Sequence, residues 1–372
     1  MRRLQSLPQS RRYLSFYSEG PAYWVHLEPL VRHLLSDHKI PLCYFSSSPD
    51  DPGLNIVKEH GETFLIGDGA VRTVLFKSFP PGVLVMTMPD LENFHIKRSV
   101  HPVHYVYVQH SMVSTHMVYR STAFDHFDTV FCAGPHHVAE TRAREQLMGL
   151  PKKQLIEHGY GRLDNIMAMA PTSHEPEMPK NRELRLLLAP SWGPNGLIET
   201  KGQTVTKILL DAGFHLTLRP HPQTSLLSPS VIRELSDSYS RHPSFVLEDS
   251  VVSADSLYSA DLMISDWSGV AMEFAFCMER PVLFIDVARK MRNSDYMALQ
   301  IDPLEVKVRN LIGDVLATDH LHELPQAIKA LADNKQMFQQ QIRTARNEWV
   351  FNLGQSGAVG AAQLAKLHAK YA

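Results

Sequence analysis

Two α/β domains, each a parallel sheet with helices on both faces, are what the patterning of this chain predicts. Three observations carry that prediction. Short apolar runs alternate with amphipathic stretches almost from end to end, the mark of repeated β-α-β units. A segment at 170–180, Ala-Pro-Thr-Ser-His-Glu-Pro-Glu-Met-Pro-Lys, has three prolines and no periodicity, and the pattern restarts after it. At 372 residues, the chain is long for one core and sufficient for two.

Residues 13–17 read as the first strand. Residues 21–36 form an amphipathic helix, with Trp24, Leu27, Leu30, Val31, Leu34 and Leu35 on one face. Strands follow at 40–45, 63–66, 83–87, 103–108 and 128–132, and Pro135 opens a helix where a missing N–H costs nothing. Beyond the linker, strands are predicted at 185–189, 215–219, 245–247, 261–264 and 282–285, with helices near 202–211, 229–240 and 269–278 between them. The segment 320–372 reads as all helical. These signals give an N-terminal domain at 1–170, a C-terminal domain at 181–345, and a last helix in 346–372 packing back across the junction.

The balance of 44% apolar and 20% charged residues is that of a soluble globular protein, and a net charge of −2 gives no basic field for nucleic acid. Cys43, Cys132 and Cys277 lie far apart, as free thiols of a reducing compartment do. No apolar run follows Met1-Arg2-Arg3 as in a signal peptide, and none approaches the roughly 18 residues of a membrane span. A cytoplasmic chain is expected. Arg2, Arg3, Arg11 and Arg12 read as a solvated tail, with peripheral contact to an anionic membrane surface as the alternative.

In open α/β sheets ligands bind beyond the carboxyl ends of the strands, so the residues just after each strand are the candidates. His110 follows 103–108 and is either a proton acceptor or a histidine bonded to its own loop. Arg219 and His221, in Arg-Pro-His-Pro, either face a phosphate or form a rigid turn. In Ser265-Asp266-Trp267-Ser268-Gly269, Ser265 or Ser268 is expected to cap a helix whose N-terminus holds an anion, with Glu273 one turn in, near a ribose. Arg162, in Gly159-Tyr160-Gly161-Arg162, is a candidate for the cleft between domains, or part of a plain turn. Neither His101/His104 nor His136-His137 has the acidic or Cys partners a zinc site wants, so no metal is expected. A Walker loop and a clean G-x-G-x-x-G are absent.

In order, Gln109-His110, Gly159-Tyr160-Gly161-Arg162-Leu163-Asp164, Leu188-Ala189-Pro190-Ser191-Trp192, Arg219-Pro220-His221-Pro222 and Ser265-Asp266-Trp267-Ser268-Gly269 resemble the CDP-glycerol:poly(glycerophosphate) glycerophosphotransferases, the teichoic-acid polymerase and primase group. The likeness runs from about residue 103 to 285. It implies a GT-B fold, two Rossmann-like domains whose parallel sheets face a cleft. It also implies transfer of a glycerol-phosphate or similar polyol-phosphate group from a CDP-alcohol donor to a hydroxyl of a surface glycan or its lipid-linked precursor, with no cofactor. His110 and His221 take the catalytic positions, with His110 as base. Arg162, Arg219, Ser265, Asp266, Ser268, Gly269 and Glu273 fall on the donor side. The chain departs from the family where Ser111 and Met112 follow His110, where Gly161 replaces Pro, and where Trp267 replaces Tyr. Two other readings stand beside this one: a GT-B glycosyltransferase or sugar-nucleotide epimerase, and a non-catalytic nucleotide-sugar-binding protein.

Overall fold

The computed structural model describes residues 2–94, 96–170, 183–248 and 254–371. The linker expected at 170–180 lies, but for its first residue, outside them. The chain divides into two compact units: Met1–Ala168 with Asn293–Ile301 and Trp349–Ala372, and Met169–Arg292 with Asp302–Glu348.

Unit 1 carries seven parallel strands: β1 (Leu14–Ser18), β2 (Cys43–Ser46), β3 (Glu62–Leu65), β4 (Gly82–Met86), β5 (Val103–Val108), β6 (Thr129–Cys132) and β7 (Gln154–Glu157). Their order is β3-β2-β1-β4-β5-β6-β7, so the direction of winding reverses between β1 and β4. Successive side chains on a strand point to opposite faces. Tyr105 and Tyr107 of β5 therefore join one core with Tyr17, Phe45 and Phe76. Val106 and Val108 join the other with Phe16, Trp24, Leu27 and Leu30. With both faces covered, the strands read as continuous apolar runs, which is why the sequence reveals them.

The second of these cores includes Ala361, Leu364 and Leu367 of the final helix, Ser356–Ala369, which packs on the Pro21–Ser36 helix within unit 1. Gly360 allows the approach, since a Cβ there would stand 2.3 Å from Leu30 Cδ2. The N-terminus is not a free tail. Arg2–Ser6 is helical, Leu4 is buried, and Arg3 pairs with Glu62 at 2.8 Å.

Unit 2 carries six parallel strands: β8 (Arg185–Leu188), β9 (His215–Leu218), β10 (Phe245–Leu247), β11 (Leu262–Ser265), β12 (Val282–Asp286) and β13 (Gly313–Ala317). The order β10-β9-β8-β11-β12-β13 reverses between β8 and β11. β13 was not expected. It is an edge strand that starts Gly-Asp and is only half covered, so its apolar signal is weak. Among the described residues no helix is long and apolar enough to cross a membrane. Cys43 and Cys132 are buried free thiols, and Cys277 is partly buried.

Candidate active site

In unit 2 the reversal point sets the loop after β8 beside the loop after β11. Asp266 joins them: Oδ1 accepts the Ser191 N–H at 2.6 Å and Oδ2 the Leu197 N–H at 3.2 Å, with the side chain buried. The carboxylate thus ties the two loops together through both of its oxygens. The cap expectation is corrected. The Ser265 hydroxyl donates to the Ala189 carbonyl at 2.8 Å, and the N-cap of Val270–Met278 is Gly269, which makes no side-chain cap bond. Glu273 lies in the first turn of that helix and is buried.

Arg219, just past β9, is 3% exposed, and its Nη1 donates to Ser256 Oγ at 3.0 Å. His221 stays at the strand end as N-cap of Pro222–Leu227, and its Nδ1 accepts the Gln223 N–H at 3.1 Å. That bond fixes the tautomer, leaving Nε2 to carry the proton. Burial, with Lys290 adding to it, lowers the His221 pKa to about 4, so it is a neutral donor at physiological pH.

Three groups to which the sequence analysis gave no role gather around it: Trp192, quoted there only within a motif, and Lys290 and Arg292. The Trp192 ring lies 6.0 Å from the His221 ring, Lys290 Nζ sits 4.2 Å from the Trp192 centroid, and Arg292 Cζ sits 5.2 Å from it. Burial lowers Lys290 to about 8, with Asp266 opposing, so it remains mostly cationic at pH 7. Trp267 steadies the loop that carries it, donating Nε1–H to the Val287 carbonyl at 3.0 Å. The signal in sequence was the basic run Arg289-Lys290-Met291-Arg292 shortly after a strand.

In unit 1, His110 stands just past β5, half-buried among rings. Nδ1 is 2.9 Å from the Tyr107 hydroxyl and Nε2 is 3.1 Å from that of Tyr119. The Tyr160 hydroxyl donates to the His110 carbonyl at 3.1 Å. Burial lowers the His110 pKa to about 4, while bonding to the Thr87 backbone works the other way. Both ring nitrogens being occupied and the ring weakly basic, the expected role as base meets a physical obstacle. Arg162 lies in the first turn of Gly161–Ala168, and after burial its charge is the next cause holding His26 neutral. His26 in turn stacks on Tyr160 at 5.5 Å.

The loop after His110 is clamped by the adjacent histidines. His136 Nε2 meets the Met112 carbonyl at 2.9 Å, and His137 Nε2 meets that of Val113 at 3.0 Å. Buried Glu140 accepts the Thr115 N–H and hydroxyl at 2.7 and 2.6 Å. Among the described residues no group of three or more His, Cys, Asp or Glu is arranged to hold a metal.

Two Rossmann-like units, each a parallel sheet whose winding reverses once, define an α/β chain of GT-B fold. Solved structures share it. The wall teichoic acid polymerase TagF, in a variant soaked with CDPG, superposes with a TM-score of 0.61 at 13% identity, covering 96% of this chain and 89% of that one. A putative UDP-N-acetylglucosamine 2-epimerase from Listeria monocytogenes gives 0.60 at 15% identity, with 94% of each chain covered. The Methanocaldococcus jannaschii UDP-GlcNAc 2-epimerase, in complex with UDP-GlcNAc and UDP, gives 0.53 at 14%, covering 93% and 97%. No family model matches the sequence, and no curated protein does. At these identities the likeness establishes the fold.

Proposed function

We propose that the chain is a transferase that moves a glycerol-phosphate or similar polyol-phosphate group from a CDP-alcohol to a hydroxyl of a surface glycan or its lipid-linked precursor. One observation carries this reading: Trp192, His221, Lys290 and Arg292 converge beside the reversal point of unit 2, where open α/β sheets bind ligands. Two cations and a fixed Nε2–H suit a pyrophosphate, and the Asp266 carboxylate is held in the fold by the Ser191 and Leu197 N–H groups, its oxygens turned to the backbone. Unit 2 would hold the donor and the β1–β4–β5 edge of unit 1 the acceptor. The acceptor oxygen attacks the β-phosphorus, the bond to the bridging oxygen breaks, and CMP leaves with the electron pair. Fixed charges and positioning supply the catalysis.

The same fold in UDP-GlcNAc 2-epimerases supports a second reading, chemistry at an anomeric carbon. The released nucleotide separates them. Incubation with CDP-glycerol, CDP-ribitol, CMP-sugars and UDP-sugars, each with crude lipid-linked glycan, is expected to yield CMP from a CDP-alcohol. UDP from a UDP-sugar, with no turnover of any CDP-alcohol, would move the chain to the second reading.

Donor binding has its own test. Lys290→Ala and His221→Ala should each weaken CDP binding in calorimetry by about 1.5–3 kcal/mol, the worth of a hydrogen bond to a charged group. Unchanged affinity in both variants would remove the phosphate assignment.

A further inference from the structure

Glu19 follows the last residue of β1, and Gly20, at φ 148°, turns the chain directly into the Pro21–Ser36 helix. β1 is one of the two strands at which the winding of unit 1 reverses, so Glu19 and Thr87, which follows β4, flank the crevice where such sheets take ligands. His110 lies at the same edge on β5, two strand spacings or about 10 Å along from β1.

The surroundings of Glu19 differ from those of His110. Arg72, on the Ala70–Lys77 helix, is its counter-charge and donates from Nη1 to the Tyr17 hydroxyl at 3.2 Å. Tyr17, Tyr23 and Tyr107 all stand near enough to feel the Glu19 charge. Two of them lead to His110: the Tyr23 ring is 5.8 Å from its ring, and the Tyr107 hydroxyl is 2.9 Å from its Nδ1. Glu19 is half-buried, and among the described residues no hydrogen bond ends on its carboxylate. The polar edge thus holds a histidine with both nitrogens occupied and a carboxylate with open lone pairs.

We propose that Glu19 is a catalytic residue that takes the proton of the attacking acceptor hydroxyl, and that His110 is a positioning residue holding Tyr107 and Tyr119 beside it. This rests on the transferase reading above. As the acceptor oxygen forms its bond to the β-phosphorus and the bridging P–O bond breaks toward CMP, the hydroxyl proton passes to a Glu19 oxygen, and water later removes it. Burial raises Glu19 to about 7, with Arg72 pulling the other way, so a large share is ionised at neutral pH. A base near the working pH is the efficient one, and His110 at about 4 is far weaker.

The test compares Glu19→Gln with His110→Ala and the wild type. Glu19→Gln should keep CDP affinity, lose roughly 10²–10⁴-fold in turnover, and lose the rise in rate through about pH 7. His110→Ala should lose turnover but keep that rise. Full turnover in Glu19→Gln, or an unchanged pH profile, overturns the assignment. A wild type silent with every CDP-alcohol overturns the transferase reading itself, so the two failures are distinct. Folding gives a readout that needs no turnover. The folded pKa of about 7 lies above the ordinary 4.5, so the stabilising share of this group is present at low pH and lost as pH rises through 7. Glu19→Gln should therefore gain stability relative to wild type between pH 5 and 8 in chemical denaturation, and a constant difference counts against the proposal.

Discussion

Unfolding midpoints in denaturant are expected to fall steeply as the pH is lowered from 7 to 5. The cause is a set of histidines that unit 1 keeps neutral. His158 is 1% exposed, and burial lowers it to about 4, with bonds to the Gly159 and Ser356 backbone opposing. His110 is likewise lowered to about 4, and burial holds His26, His136 and His137 down as well. In the unfolded chain each titrates near 6.5, so between 6.5 and 4 the unfolded state binds more protons and gains on the native state. For His110 and His158 the loss is about 2 kcal/mol each at pH 5, and about 3 kcal/mol each by pH 4. Domain stabilities are roughly 5–15 kcal/mol, so two such groups remove a large part of one. His158→Gln should flatten the dependence, because the amide has no proton to gain. Glu19 works the other way over this range, so the comparison is made in Glu19→Gln, where midpoints that hold constant from pH 7 to 5 would show that these rings ionise freely in the folded protein.

Much of this architecture is legible in sequence, for a physical reason. A strand buried on both faces must be apolar throughout, and Val103–Val108 declares itself in that way. β13 hides because an edge strand tolerates Gly313 and Asp314. The return of Asn293–Ile301 to unit 1 hides more deeply. It is fixed by single contacts, such as Asn293 Nδ2 donating to the His116 carbonyl at 2.9 Å, and these have no periodicity.

The candidate site divides along the same line. The rule that ligands meet strand ends finds His110 and His221, and applied to the first strand it would also have found Glu19. It does not say which way a side chain turns. Asp266 and Ser265 turn inward because backbone groups of a loop some 75 residues earlier wait for them. Lys290 and Arg292 reach Trp192 only because the loop after β12 folds back, held in part by Trp267.

His110→Ala is expected to leave CDP affinity unchanged and to lower turnover by roughly 10²-fold, the scale of loss when a reacting group is misplaced by about an ångström. The imidazole is the common partner of Tyr107 and Tyr119, at 2.9 and 3.1 Å, so its removal frees two hydroxyls at the edge where the acceptor would sit. Unit 2 contributes none of these groups, which is why donor binding should not respond. The loop that bears Tyr119 is anchored independently by Glu140, His136 and His137, so the variant should fold. Since the ring is neutral well above its pKa of about 4, the loss should be the same at pH 6.5 as at pH 8.5. His110→Gln keeps a donor and an acceptor at about the same reach, and should recover part of the rate. A loss that vanishes at high pH, or no recovery in His110→Gln, would return His110 to the role of proton acceptor.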